Sequence, residues 1–261
     1  MITPPILRTT NLSVGYTNKN KHKVIRNQLN LSVFPSDLIA IIGPNGCGKS
    51  TLLRTLAGLQ IPLGGEIFIE EEILKKKSYK EKAKLISVVL TDRIQVSGLT
   101  VYELIAMGRY PHTNWMSKLS SMDEEKIKNA ISLIDLNGFE NRNISELSDG
   151  EKQRVMIAKA LVQDTPLLFL DEPTAHLDLN NRIEVLSLLQ KIAKQTQKAV
   201  LFSTHELDLA LKLANRIWLP AKESNLMDVT TKDVISNNLL NEVFPNCVIR
   251  FNQEGSLLYN I

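Results

Sequence analysis

The sequence lacks any run close to the ~18 consecutive apolar residues of a membrane helix, so the 43% of it that is hydrophobic must build an interior. Cysteine is scarce: Cys47 and Cys247 are too few for a disulfide framework and suit a reducing compartment. Neither sign of charge dominates. With 31 Lys+Arg against 28 Asp+Glu the net charge is +3, short of the basic bias that marks nucleic-acid-binding domains. Repeats and low-complexity segments are missing too. The start, Met1 to Pro5, has no basic patch followed by an apolar run, so no secretory signal is expected. What remains is an ordinary globular composition, with 23% charged residues and 261 residues in all. That is enough for one large domain or two small ones with a sizeable core.

Three short apolar runs stand out: Leu38 to Ile42, Leu167 to Leu170 and Ala199 to Phe202. Each is stopped by polar or turn residues and reads as a strand buried on both faces. Helical stretches alternate with them, from Lys49 through Leu59 and from Glu151 to Val162. Such alternation predicts an α/β fold with a mostly parallel sheet. Ile6 to Tyr16, Leu29 to Phe34 and Gly65 to Ile69 read as strands of a separate antiparallel sheet with one wet face. Thr100 to Asn143 reads mostly helical, with part of a stripe at Ile127, Ile131, Ile134 and Leu136. Glu70 to Lys84, rich in Lys, reads as a solvated edge or loop, with a phosphate or acidic-lipid patch as the alternative. The tail reads as a helix, Ser236 to Phe244, followed by strands at Cys247 to Phe251 and Ser256 to Tyr259.

Gly43-Pro44-Asn45-Gly46-Cys47-Gly48-Lys49-Ser50 fits G-x-x-x-x-G-K-[ST] between a predicted strand and a predicted helix. Glycines let the backbone wrap tightly and turn its N–H groups towards phosphate oxygens, and the helix start adds partial positive charge. Lys49 is placed to reach the β- and γ-phosphates and Ser50 to hold Mg²⁺, with Thr51 next in the helix. Cys47 reads as a small residue that fits the loop, with a redox sensor as the alternative.

Asp171 and Glu172 follow the second core strand, at the sheet edge where open α/β proteins bind ligands. Asp171 is a candidate Mg²⁺ ligand. Glu172 points elsewhere and is a candidate to polarise an attacking water. His205 follows the third core strand in Ser203-Thr204-His205-Glu206 and should share that edge, close to a γ-phosphate.

Leu147-Ser148-Asp149-Gly150-Glu151 resembles the signature of ATP-binding cassette proteins, usually Leu-Ser-Gly-Gly-Gln. The resemblance covers the chain to about residue 220. It implies a P-loop NTPase cassette over 1–220, a helical subdomain inserted at about 93–150, and a short C-terminal extension over 221–261. It also implies an ATPase in which two copies pack head to tail, each signature gripping the ATP held by the other copy's phosphate loop. Tyr16 matches the aromatic that stacks on adenine. Ala175-His176-Leu177-Asp178 matches the loop that crosses the dimer interface.

Two positions depart from the family. Asp149 replaces a glycine, which puts a carboxylate near a phosphate, although Asp tolerates unusual backbone angles. A family glutamine at the hinge into the helical subdomain is missing. Thr91 takes its register and Gln95 follows, and the choice between them as an Mg²⁺ ligand stays open. Leu99 to His112, and Leu239 to Phe244 in the tail, look like the cassettes that drive bacterial import of iron–siderophore complexes, haem or cobalamin. The implied partners are a second copy, an integral membrane permease and, indirectly, a substrate-binding protein, with no nucleic acid. The implied place is the cytoplasmic face of the bacterial inner membrane, as a peripheral subunit. Other readings are a cassette serving an exporter or another import class, one acting on DNA or ribosomes, and a binding-only module.

Overall fold

The structure is a computed structural model that describes residues 3–18, 21–91, 98–113, 118–221, 225–244, 248–251 and 257–260. Met1, Gln95, Cys247 and Ser256, named above, lie outside them.

The central sheet has the order β11-β10-β4-β9-β8-β7. Its strands are β4 (Leu38–Ile42), β7 (Ile86–Val89), β8 (Leu167–Leu170), β9 (Ala199–Thr204), β10 (Arg216–Pro220) and β11 (Leu226–Thr230). All neighbours run parallel except β10 and β11. Alternate residues serve two different cores. Leu38, Ala40, Ile42, Leu168, Leu170, Val200 and Phe202 face one, and Ile39, Ile41, Leu167, Phe169, Leu201 and Trp218 face the other. Burial on both faces is why these strands read as unbroken apolar runs. Each large side chain so buried contributes about 1.5–3 kcal/mol.

The second core is roofed by an antiparallel sheet of order β2-β1-β5-β6, with β3 paired to β1. These are β1 (Leu7–Asn18), β2 (Lys21–Leu29), β3 (Ser32–Val33), β5 (Gly64–Ile69) and β6 (Glu72–Ile73). Helix α1 (Lys49–Leu56) lies between the two sheets and buries Leu52, Leu53 and Leu56 there. On the opposite face lie α3 (Val101–Ala106), α4 (Ser121–Leu133), α5 (Asp149–Val162), α6 (Leu179–Thr196) and α7 (Leu207–Leu213). The chain therefore leaves β4 towards one face, and leaves β8 and β9 towards the other. That divergence opens a crevice at the carboxyl ends of β4, β9 and β8.

Local expectations fail in several places. Leu29 to Phe34, expected as one strand, is split between the end of β2 and the two-residue β3, and β7, β10 and β11 were not anticipated. The Lys-rich stretch carries α2 (Tyr79–Leu85), because Ser78 and Glu81 close a capping box at its start. The tail helix expected at 236–244 is two short helices, α8 (Thr231–Ser236) and α9 (Leu240–Val243). Thr230 and Asp233 cap the first, and Asn238 breaks the pattern at φ 48°. Strand β2 was not anticipated: Lys21 to Leu29 is basic and polar because it is an edge strand. A hairpin of β12 (Val248–Phe251) and β13 (Leu257–Asn260) ends the described chain. Among the described residues no helix is long and apolar enough to cross a membrane.

Candidate functional site

Gly43 to Gly48 form the loop between β4 and α1. Gly48 caps α1 in the left-handed region (φ 98°), and a Cβ there would lie 2.4 Å from Ile25 Cγ2. Only glycine meets both conditions. Helix α1 has no side-chain cap, as an anion-binding helix start requires. Pro44, Asn45 and Gly46 are exposed, and the Cys47 N–H donates to the Pro44 carbonyl at 3.2 Å. Lys49 is only 6% exposed. Its ammonium donates to the Gly43 carbonyl at 2.9 Å and lies 3.9 Å from Glu172 Oε1. Thr51 is buried, with its hydroxyl 2.6 Å from that of Tyr16, whose ring stays half exposed beside the loop.

The ends of β8 and β9 meet this loop. Asp171 Oδ1 accepts the Ser50 hydroxyl at 2.7 Å and the Ser203 hydroxyl at 2.8 Å, and Arg54 stands 4.0 Å from Oδ2. The Asp171 backbone is tied to β7: its N–H donates to the Val89 carbonyl, and its carbonyl accepts the Thr91 hydroxyl at 2.7 Å. Glu172 turns into the left-handed region (φ 47°), so its carboxylate leaves the strand direction. Besides Lys49, that carboxylate lies 3.9 Å from His205 Nδ1. His205 is half exposed, with Nε2 3.3 Å from Glu206 Oε1. Thus Lys49, Ser50, Asp171, Glu172 and His205 gather in one crevice. Ser50 and Asp171 supply the hard oxygen atoms that Mg²⁺ prefers, in contact with each other.

Leu147 to Glu151 lie elsewhere in the chain. Leu147 is buried, while Ser148 and Asp149 are exposed. Ser148 caps α5 in a reciprocal box: its hydroxyl accepts the Glu151 N–H at 3.3 Å, and Glu151 accepts the Ser148 N–H at 2.7 Å. Hydrogen bonds from the Ser148 backbone and hydroxyl hold the Glu151 carboxyl below its usual pKa. The helix begins at Asp149, two residues before the expected Glu151, and Asp149 keeps an ordinary helical backbone. The replaced glycine therefore needs no special backbone tolerance from Asp.

Gly150 approaches α6 so closely that a Cβ would lie 2.1 Å from Asn181 Oδ1. Asn181 in turn donates from its backbone and side chain to Asp178, the N-cap of α6, at 2.9 and 2.8 Å. Ala175 bonds back to the Glu172 carbonyl at 3.0 Å, His176 adopts φ 64°, and Leu177 is buried. So 147–151 and 175–178 adjoin each other. Among the described residues no hydrogen bond or ion pair joins the first of them to the phosphate loop.

Residues 26–175 match the family model described as "ABC transporter". The chain is 35% identical over 238 residues to the iron(3+)-hydroxamate import ATP-binding protein FhuC of Bacillus subtilis, covering 91% of this chain and 87% of that one. It is 34% identical to the petrobactin import ATP-binding protein FpuD of Bacillus anthracis, over 91% and 86% of the two chains. A solved ABC transporter chain in an inward-facing conformation superposes with a TM-score of 0.81 at 28% identity, over 98% of each chain. This chain belongs to the ABC transporter family. It is an ATPase cassette with the P-loop NTPase fold.

Four polar residues of this ABC cassette gave no signal in the sequence. Ser203 reads only as a polar residue that stops the third core strand, yet it lies within β9 and joins Asp171 to Glu172. Arg26, buried in β2, donates to the Cys47 carbonyl in the phosphate loop and to the Asn225 carbonyl, both at 3.1 Å. Arg54, also beside Asp171, reads as the outer face of a helix. Arg182 donates to the Leu177 carbonyl at 2.7 Å and to Glu206 at 2.6 Å, tying the 175–178 loop to the neighbour of His205. No spacing rule reports such contacts, which arise from strands and loops distant in sequence.

Proposed function

We propose that the cassette binds ATP over the phosphate loop 43–51 and hydrolyses it as one of two copies that energise a membrane importer. The observation that carries this reading is the contact of Ser50 with Asp171 at the loop, with Glu172 turned alongside. Lys49, freed from the Gly43 carbonyl, holds the terminal phosphates, and the loop N–H groups and α1 start take the rest. Tyr16 offers its exposed ring to the adenine. Ser50 and Asp171 would hold Mg²⁺, with Thr91 or Gln95 as a further candidate ligand. Bound there, the ion neutralises phosphate charge. Glu172 orients and polarises the attacking water, and His205, between Glu172 and Glu206, holds the terminal phosphate side of the site. The signature 147–151 and the loop 175–178 face the second copy, so closure completes each site.

The reading divides the chain into a cassette over 1–220, a helical insertion at about 93–150 that docks on an integral membrane permease, and a short extension over 221–261. It places the protein peripherally on the cytoplasmic face of the bacterial inner membrane, with a substrate-binding protein as indirect partner. An iron–siderophore complex is the substrate class we favour, with haem or cobalamin as alternatives. The identity to hydroxamate and petrobactin import proteins along the length of the chain supports it. Purified chain and co-expressed permease should show ATP turnover that the permease stimulates, and cells lacking the gene should lose uptake of ferric siderophore. Undiminished siderophore uptake with lost haem or cobalamin uptake would reassign the substrate. No stimulation by the permease would end the importer reading.

A further inference from the structure

Ser203 is fully buried at the end of β9. A serine hydroxyl has one proton to donate and lone pairs to accept. Here the proton goes to Asp171 Oδ1 at 2.8 Å, and a lone pair receives the Glu172 N–H at 2.8 Å. A single side chain from β9 thus grips two consecutive residues at the end of β8.

The grip bears on conformation. Glu172 has φ 47°, a region that non-glycine residues hold only when their surroundings enforce it. From the far side Ala175 donates to the Glu172 carbonyl at 3.0 Å. On the near side the Ser203 hydroxyl fixes the Glu172 N–H. Released from that bond, the peptide can relax towards the extended region, which carries the carboxylate along the strand and away from Lys49 and His205. Asp171 Oδ1 also has the Ser50 hydroxyl as a donor, whereas Ser203 is the hydrogen-bond partner of the Glu172 N–H, so the turn is what hangs on Ser203.

We propose that Ser203 is a positioning residue of the ATPase site. It sets the left-handed turn at Glu172, so that turnover depends on it and nucleotide affinity does not. The proposal rests on the ATPase reading above. The nucleotide is held by Lys49 and the loop, none of which touches Ser203, whereas the water-activating carboxylate hangs on the turn. Misplacing a reacting group by about 1 Å costs on the order of 100-fold in rate.

The test uses the full chain with Ser203→Ala, measuring steady-state ATP turnover, the Kd of a fluorescent ATP analogue and the melting temperature. Wild type and Lys49→Ala run alongside: a wild type without turnover overturns the ATPase reading itself. Given an active wild type, kcat should fall about 10- to 100-fold, with Kd changed less than about 3-fold and melting nearly unchanged. Wild-type kcat in Ser203→Ala overturns the proposal. So does a parallel loss of kcat, nucleotide affinity and melting temperature, the mark of a merely structural serine. In the Glu172→Gln background Ser203→Ala should add no further loss in single-turnover rate, and a multiplied loss also overturns it. Should the alanine variant be insoluble, Ser203→Cys, similar in shape but a poor hydrogen-bonding group, carries the same measurements.

Discussion

At the ends of β4, β8 and β9 the polar groups are satisfied within the chain: Lys49 by Gly43, Ser50 and Ser203 by Asp171, Glu172 N–H by Ser203. At the start of α5 the order is reversed, with Ser148 and Asp149 exposed and the helix end already supplied with the carboxylates of Asp149 and Glu151. One face keeps its geometry by burial, and the other is stable alone only because its own side chains cap it. On the proposed reading, the second face works when the other copy's nucleotide arrives against it. On that reading the nucleotide site is half rigid and half conditional, and mutations should sort accordingly.

The largest effect falls on the rigid half. Lys49→Ala removes the ammonium that stands between the Gly43 carbonyl and the Glu172 carboxylate, and turnover should drop about 100- to 1000-fold or more, by analogy with losing one preorganised charge donor. A phosphate-release assay checks this. Glu172→Gln should cut kcat by about 100-fold or more while keeping ATP affinity. Size-exclusion chromatography with ATP should then show a lasting dimer, and normal hydrolysis would remove Glu172 from its role.

Changes in the conditional half should be milder and visible only in the dimer. Gly150→Ala pushes a methyl into Asn181 and should loosen its hold on Asp178, at the roughly 1–3 kcal/mol typical of overpacking. Turnover should fall several-fold with unchanged ATP binding by the monomer, and Asn181→Ala, which deletes the side-chain bond to Asp178, should lower turnover by itself without a further loss when combined with Gly150→Ala. Smallest is Asp149→Asn, which takes a charge off the helix start. A helix-end charge is worth about 0.3–1 kcal/mol, so ATP-dependent dimerisation should strengthen by no more than about fivefold. Weaker dimerisation would mean that Asp149 aids closure.

The two halves also differed in how far they could be read in the sequence. The phosphate loop and the three inner strands β4, β8 and β9 are local patterns, since glycine spacing and buried apolar runs follow from the chain near each residue, whereas β7, β10 and β11 of the same sheet gave no such run long enough to be read. The signature was legible as a motif, but its capping box and its contact with Asn181 belong to tertiary packing. Lys21 to Leu29 was missed because an edge strand needs no apolar alternation. The tail was misjudged because Leu239, Leu240, Val243 and Phe244 have helical spacing, while the turn at Asn238 interrupts it. Ser203 and Arg26 act through partners far along the chain, and Arg182 joins nearby Leu177 to distant Glu206, and composition carries no trace of that.

Gly150 lies against Asn181, and four residues on Arg154 donates to Glu184 of α6 at 2.6 Å. The helix that starts at the signature and the helix that starts at the 175–178 loop are thus riveted side by side near their tips. Whatever docks there meets one jaw with two teeth, not two independent fingers. A push on either tooth is a push on both, carried by the close approach of Gly150 to Asn181 and by the bond from Arg154 to Glu184.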